Sequence, residues 1–516
     1  MYRKALYRNK RKANLRLGEE KLIETFKDKL KRDKNYFIAS FFAVLVAYYA
    51  LINSGYYYQD DRSRFVYGFT GWSGQARPFS DLFMRIFEVN GHLSDATPIP
   101  QIISALLIAS CSILIIRSFE RIDKTIATMA ALLLFLNPFY LQNFSYRFDN
   151  LLMTTSVFLV VFSFYCASKN KKPWTALSVT ACFLSLCTYQ PAVNVFMQLS
   201  AAYSTYLIFH KIPKPLKQFL RLTAIFLSSL LIYKIGISLF MPGNKYTSAH
   251  SSMASIGDAP TIIEKNIGSF AKIFAEYSDN YFLFLISAIF AIFLFMIVYH
   301  SIKNREIKYI ACFLYLSISL FFSAGLLALL EEPVFEPRVM LGVGGFASSM
   351  ILSIPYARKK GIFAQSTKIA LSINFLFFSI TANAYGNALS YLAKFEHAYF
   401  RDIYSNAYEQ YVKNDASGYS IIGKNQLPQA LVNKEEHDHK LSYLFNHPLD
   451  GYWSGKFADS FFKASDKMNY MKISAVDSKV LSKVKKCELN HVERHLGYNI
   501  YSAGNLVFVD FDKKCD

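Results

Sequence analysis

Residues 36–55 read YFIASFFAVLVAYYALINSG, and the chain continues through residues 55–78 as GYYYQDDRSRFVYGFTGWSGQARP. The first stretch is an apolar run of the length that an α-helix needs to cross the hydrocarbon core of a bilayer. The second stretch begins with two adjacent carboxylates, Asp60 and Asp61, and several arginines follow them closely. The pairing predicts a membrane protein that places polar chemistry where its first helix ends.

The composition extends this prediction to the whole chain. Of 516 residues, 53% are hydrophobic, and these include 47 Phe and 35 Tyr. The apolar surface of so many hydrophobic residues is larger than one soluble core would bury. Further apolar runs recur along the chain, so we predict an α-helical polytopic membrane protein with about eleven transmembrane helices. These runs lie near residues 36–54, 99–117, 125–142, 151–168, 174–189, 191–209, 219–240, 281–300, 309–330, 339–357 and 369–389.

The basic residues indicate the orientation and the partner. The net charge is +20, but Lys and Arg concentrate in residues 1–35 and in alternate loops, as the positive-inside rule predicts. Membrane lipid is therefore the expected partner, and nucleic acid is excluded. The N-terminus is predicted to be cytoplasmic, and an odd number of spans places the C-terminus outside.

Three regions follow from this pattern. Residues 1–35 form a basic cytoplasmic arm in which Leu22, Ile23, Phe26 and Leu30 recur at helical spacing; an amphipathic helix on the inner leaflet and a disordered basic tail both fit. Residues 36–395 form the transmembrane domain. Residues 396–516 are less hydrophobic and predict a small α/β domain, with a helix over 400–415 and strands at YSIIG, MKISAV and NLVFVDF.

The first outer loop, 55–98, holds the strongest candidate site. Charged residues at a membrane face usually mark the boundary with water, but this loop combines the acidic pair with aromatic and glycine residues. Arginine binds phosphate oxygens with a forked geometry, and a carboxylate beside it can take a proton from an attacking hydroxyl. Trp72 or a tyrosine such as Tyr67 can stack on a sugar ring. The candidate phosphate ligands on the outer loops are Arg64, Arg77, Arg147 and Arg338.

Several short motifs resemble one known family. DDRSR (60–64), GFTGW (68–72) and ARP (76–78) occur in that order after the first span, followed by NFSYRFDN (143–150) and AYGNAL (384–389). In this order the motifs resemble the type II family of Gtr serotype-converting O-antigen glucosyltransferases of bacteria and their prophages. The resemblance covers most of residues 36–395 and does not extend into the tail.

The resemblance implies a fold and a reaction. The family is similar in plan to the GT-C glycosyltransferases, with many membrane helices and an acidic base on the first outer loop. The implied donor is undecaprenyl-phosphate glucose, and the implied acceptor is a sugar hydroxyl of the O-antigen of lipopolysaccharide. Transfer would invert the anomeric centre at the periplasmic face of the bacterial inner membrane. By the same resemblance, Asp60 or Asp61 is the base; Asp60 is slightly preferred, with Asp61 orienting Arg64 or the acceptor. Asp149 matches a further charged motif position and is a candidate contact to the sugar or the acceptor.

Other functions and sites remain open at this stage. An O-antigen polymerase is also polytopic with outer arginines, but the acidic pair directly after the first span is not expected of it. A transporter or flippase of lipid-linked sugars would need ionisable residues near mid-membrane, and apart from Lys234 the spans show few. Glu331, Glu332 and Glu336 are alternative bases. We assign no cofactor and no metal, because solvated histidines are commoner than metal sites. The lesser candidates are His437, His439, His491 and His495 for a metal, Trp453 for a sugar, and Cys487 with Cys515 for a disulfide.

Overall fold

The computed structural model describes residues 33–241, 252–255, 257–304, 309–354, 361–423, 425, 427–438, 440, 444–445, 490–503 and 505–512. Several predicted features lie outside these residues. They are the amphipathic arm with Leu22, Ile23, Phe26 and Leu30, the strand at MKISAV, Trp453, His439, the side chain of His491, and the Cys487–Cys515 pair.

The described residues are mostly helical, and the helices follow one another with short connections. They are α1 (33–47), α2 (Tyr49–Ile52), α3 (Asp61–Tyr67), α4 (Pro78–Met84), α5 (Ile99–Ser118), α6 (Lys124–Leu132), α7 (Pro138–Ser145), α8 (Asp149–Ser168), α9 (Lys172–Leu186), α10 (Asn194–Phe209), α11 (Pro215–Phe240), α12 (Ala259–Tyr277), α13 (Asn280–Asn304), α14 (Ala311–Ala324), α15 (Leu341–Ser353), α16 (Ile362–Lys413) and α17 (Gln429–His437).

Within the described residues, six helices are long and apolar enough to cross a membrane, so the expected count of about eleven is not confirmed. The run at 125–142 is divided into α6 and α7, because Pro138 lacks an N–H and the Asn137 side chain accepts from the next two backbone amides. Helices α9, α10 and α15 have 15, 16 and 13 residues. The six candidate spans are Ile99–Ser118, Asp149–Ser168, Pro215–Phe240, Asn280–Lys303, Ala311–Leu329 and Ile362–Lys413.

Small and polar side chains join the helices closely. Between α8 and α9 the hydroxyl pairs Ser156–Ser185 and Ser163–Ser178 lie 2.8 and 3.0 Å apart. These contacts replace the hydrophobic driving force that is weak between helices in lipid.

The AYGNAL motif lies where α16 crosses the break between α1 and α2. The Asn383 side chain, one residue before the motif, donates to the Val46 and Ala47 carbonyls and accepts from the Ala50 amide. A Cβ on Gly386 would lie 2.4 Å from the backbone nitrogen of Leu51, so only glycine allows this close approach.

The described part of the tail contains a four-stranded sheet. Its strands are β3 (Gly418–Ile422), β4 (Asn490–His495), β5 (Tyr498–Ala503) and β6 (Leu506–Asp510), in the order β3-β6-β5-β4, with only β3 and β6 parallel. The predicted helix over 400–415 and the strands at YSIIG and NLVFVDF are confirmed. The helix is the end of α16, whose 52 residues run without a break through residue 395. At about 1.5 Å per residue α16 is roughly 78 Å long, more than twice the hydrocarbon thickness of about 30 Å.

Candidate active site

The loop 55–98 folds into short elements that present its polar residues at one end of the helical bundle. Helix α3 begins at Asp61 and ends at Gly68, whose φ of 62° and contact with the His92 ring admit no side chain. A 3₁₀ turn (Trp72–Gln75), α4 and a hairpin of β1 (Glu88–Val89) and β2 (His92–Leu93) follow. Loop 55–98 meets residues 143–150 and 331–338 here, and we call this end of the bundle the loop face.

Asp61 is completely buried and holds two segments together. One carboxylate oxygen accepts from the Tyr58 amide at 3.2 Å and from the Arg147 amide at 2.7 Å; the other accepts from the Phe148 amide at 3.3 Å. Burial, with a contribution from the neighbouring Asp149 carboxylate, raises the pKa of Asp61 to about 8. A closed carboxyl that retains its proton at neutral pH is a poor proton acceptor for a substrate.

Asp60 differs from its neighbour, because half of its side chain is exposed at the loop face. Its Oδ2 lies 3.7 Å from Arg64 Nη1, one helical turn further along α3. The same nitrogen lies 3.4 Å from Asp149 Oδ2, so one guanidinium stands between the two carboxylates. Asp60 is therefore the accessible member of the acidic pair.

The Arg64 guanidinium is built into the loop face. Its side chain is 3% exposed and lies over the buried Trp72 ring at 4.2 Å, and the Trp72 indole donates to Asp149 Oδ1 at 2.6 Å. Arg64 Nε and Nη1 have no hydrogen-bond partner in the part of the chain that the structure describes. Arg64, Trp72, Asp149 and Asp60 thus form one connected group.

Arg338 brings the loop 331–338 to the acidic pair. Its Nε lies 3.0 Å from Glu336 Oε2, and its Nη1 donates to the Gln59 side chain and to the Tyr146 hydroxyl. Its backbone amide donates to Gln142 Oε1 at 2.8 Å. Burial raises the pKa of Glu336, and the Asp60 carboxylate raises it further. Asp60 and Glu336 are therefore close enough for their carboxylates to interact.

Arg77 lies at the start of α4, with its guanidinium 4.7 Å from the centre of the Tyr189 ring. Its Nε donates to Gln190 Oε1 at 3.2 Å, and the Tyr189 hydroxyl donates to the Arg338 carbonyl at 3.0 Å. Tyr189 and Gln190, which lie before α10, thus connect Arg77 with Arg338. Within the described residues Arg77 has no ion pair with a carboxylate, whereas Arg338 is paired with Glu336.

Two predicted residues lie at the edge of this group. Arg147 is paired with Asp95 through its Nε at 2.9 Å and its Nη2 at 2.7 Å, and it lies over the Tyr57 ring at 4.8 Å. Tyr67, the last residue of α3, is 44% exposed.

Sequence analysis missed Gln59, Asp95 and Glu396. Gln59 directly precedes the acidic pair, and this position could have indicated a role in the site. The side chain of Asp95 accepts a hydrogen bond from the backbone amide of Thr97, and the spacing of two residues could have indicated this turn. Glu396 forms a buried ion pair with Arg62 at 2.9 Å across more than 300 residues, and no local pattern indicates it. Among the described residues, no cluster of three or more His, Cys, Asp or Glu is arranged to hold a metal ion.

The chain is similar to known proteins over much of its length. The family model described as glucosyl transferase GtrII matches residues 48–349, which include loop 55–98, residues 143–150 and residues 331–338. A protein of Salmonella phage P22, described as an uncharacterized 55.3 kDa protein in the gtrB 5′ region, is similar to the chain. It is 26% identical over 344 residues, which are 64% of this chain and 70% of the phage protein.

Proposed function

The chain belongs to the GtrII glucosyl transferase family, and on this premise we propose that it is an inverting membrane glycosyltransferase. It moves glucose from undecaprenyl-phosphate glucose to a sugar hydroxyl of the O-antigen of lipopolysaccharide. The observation that carries the proposal is the half-exposed Asp60 carboxylate, which lies 3.7 Å from the buried Arg64 guanidinium and close enough to Arg338 to interact with its charge.

Asp60 is the proposed general base. It takes the proton of the acceptor hydroxyl while that oxygen attacks the anomeric carbon from the face opposite the phosphate. The new C–O bond forms as the bond from the anomeric carbon to the phosphate oxygen breaks, and the electron pair leaves with the polyprenyl phosphate. The configuration inverts in this single displacement, and a phosphate leaving group needs no general acid.

Arg77 and Arg338 are the proposed ligands of the donor phosphate. Forked N–H groups fit phosphate oxygens and stabilise the charge that develops as the bond breaks. Arg64 and Arg147 were also candidates, but Arg64 stands between two carboxylates, and Arg147 contacts Asp95 through two of its nitrogens, so we propose positioning roles for both. Arg338 also has an ion pair, with Glu336, but through Nε alone. The buried Trp72 supports Arg64 in the same way, which leaves the exposed ring of Tyr67 as the candidate contact to a sugar.

We further propose that the loop face is periplasmic and the N-terminus cytoplasmic, in the bacterial inner membrane. Residues 396–516 then form a periplasmic domain that shares its compartment with the O-antigen and helps to select the acceptor. Fusions of alkaline phosphatase test the orientation. The enzyme should be inactive when fused after residue 210 and active when fused after residue 516, and the reverse result would overturn the orientation.

The reaction is tested with purified protein, synthetic polyprenyl-phosphate glucose and lipopolysaccharide from cells without the gene. Mass spectrometry should detect lipopolysaccharide heavier by one hexose per modified repeat. A polymerase would instead lengthen the O-chain with unchanged repeats, and a flippase would move labelled lipid across vesicles without transfer. Either of these results, with no hexose added, would overturn the proposal.

A further inference from the structure

The residue before Asp60 has an unusual backbone conformation. Gln59 has a φ of 44°, in the left-handed region that glycine adopts readily and glutamine rarely does. Non-glycine residues persist in this region only where the surrounding structure holds them, and such residues cluster at functional sites. Ala76, directly before Arg77, has a φ of 57°. Two proposed site residues are thus each preceded by a constrained one.

Contacts of the Gln59 side chain explain how its backbone is held. Its amide oxygen accepts from Arg338 Nη1 and from the Tyr146 hydroxyl. Gln59 therefore joins the loop 55–98 to residues 143–150 and to residues 331–338. The Arg338 amide is fixed independently by Gln142 of α7, so the partner of Gln59 is itself attached to the helical bundle.

The direction of Asp60 depends on this attachment. The Asp60 carbonyl accepts from the Arg64 amide at 3.0 Å, and this hydrogen bond closes the first turn of α3. The backbone of Gln59, one residue earlier, sets the angle at which the chain enters the helix. The Asp60 side chain is half exposed, with the Arg64 ion pair at 3.7 Å as its direct polar contact. Its orientation thus comes mainly from the backbone and not from a close side-chain partner.

We propose that Gln59 is a positioning residue, which holds the Asp60 carboxylate in register with the phosphate ligand Arg338. This inference rests on the proposed function, because it assumes a base at Asp60 and a donor phosphate at Arg338. The distance between the base and the phosphate decides whether the acceptor oxygen can align with the bond that breaks. A misplacement of about 1 Å in such an arrangement costs roughly 10²-fold in rate.

Gln59→Asn tests the proposal, because asparagine tolerates the left-handed backbone but is one methylene too short for the same contacts. We expect kcat to fall roughly 10- to 100-fold in transfer from polyprenyl-phosphate glucose, with the donor KM changed less. Gln59→Gly keeps the backbone conformation without any side chain and should show the same loss. Wild-type kcat in a folded Gln59→Gly protein would overturn the proposal.

The matched control is Asn90→Ala. Asn90 also has a positive φ, of 53°, but it is exposed in the turn between β1 and β2. This variant places a backbone penalty at an exposed position outside the site, so its kcat should equal that of the wild type. An equal loss in Asn90→Ala and Gln59→Asn would show that kcat responds to any change in this loop and would overturn the positioning role.

A double-mutant cycle tests the link to Arg338. If Gln59 acts through its contact with that guanidinium, Gln59→Asn combined with Arg338→Lys should lose less than the product of the two single losses, by about fivefold or more. Losses that multiply would overturn the link. The proposed function would be overturned by a different result, namely the absence of glucose transfer by the wild type. The Gln59 proposal would be overturned if the wild type transfers glucose and the Gln59 variants have the same kcat.

Discussion

The acidic pair provides the sharpest test of the site, because replacement by Asn should lower turnover strongly at Asp60 and only slightly at Asp61. Asp60→Asn keeps the shape of the side chain but removes its ability to accept a proton. Without a general base, turnover should fall roughly 10²- to 10⁴-fold, which corresponds to about 3–5 kcal/mol of transition-state stabilisation. Folding should change little, because the partly exposed ion pair with Arg64 is worth about 0–1 kcal/mol.

Asp61→Asn should leave kcat within about tenfold of the wild type. The buried carboxyl has a pKa raised to about 8, so at neutral pH its protonated form resembles an amide. The amide oxygen of asparagine can accept from the Tyr58 and Arg147 amides as one carboxylate oxygen does now, and only the longer contact with Phe148 is lost. The structural role of Asp61 therefore survives the substitution.

The pH dependence of stability supplies an independent readout for Asp61. Its pKa is about 8 when folded and near 3.8 when unfolded, so the folded protein holds an extra proton between these values. The resulting stabilisation is complete below pH 4 and is lost as the pH rises towards 8, by up to about 1.4 kcal/mol per pH unit. Asp61→Asn should remove this contribution, and thermal unfolding in detergent across the pH range measures it.

The assay is glucose transfer from synthetic polyprenyl-phosphate glucose by purified variants, with thermal unfolding of each variant as the control for folding. Near wild-type rates in both single variants would refute a catalytic role for the pair and direct attention to Asp149, Glu331, Glu332 or Glu336. A large loss in a stable Asp61→Asn protein, with Asp60→Asn active, would show that the roles are reversed.

Further substitutions test the phosphate ligand and the packing around the site. Arg77→Lys keeps the charge but loses the forked contact, so the donor KM should rise about tenfold while thermal stability is kept; an unchanged KM would remove Arg77 from the phosphate site. Glu396→Gln takes the counter-charge from the buried Arg62 and should lower the free energy of unfolding by about 3 kcal/mol, whereas unchanged melting would contradict the buried pair. Gly386→Ala forces the close helix contact apart and should cost about 1–3 kcal/mol; Gly236→Ala, with open space around it, is the control that should unfold like the wild type.

The local pattern of the sequence determined the class of the protein. Apolar runs long enough to span a bilayer predict membrane helices wherever they occur, and short motifs around Asp60 resemble one glucosyltransferase family. The strands at YSIIG and NLVFVDF were predictable in the same way, because alternation and β-branched residues act within a few positions. The predicted number of spans is not confirmed in the described residues, since Asn137-Pro138 divides one run and α9 and α10 are shorter than their apolar stretches.

The environment of each residue in the site was decided only by the tertiary structure. Asp60 and Asp61 are adjacent and chemically identical in the sequence, yet one is half exposed and the other is sealed by backbone amides of residues 147 and 148. The same holds for the arginines, whose availability depends on partners far along the chain, such as Asp149 for Arg64. Burial and ion pairing arise from contacts between distant segments, and these contacts set the pKa, exposure and direction of each group. A linear sequence shows which charges are present, but only the folded chain determines which of them still faces a substrate.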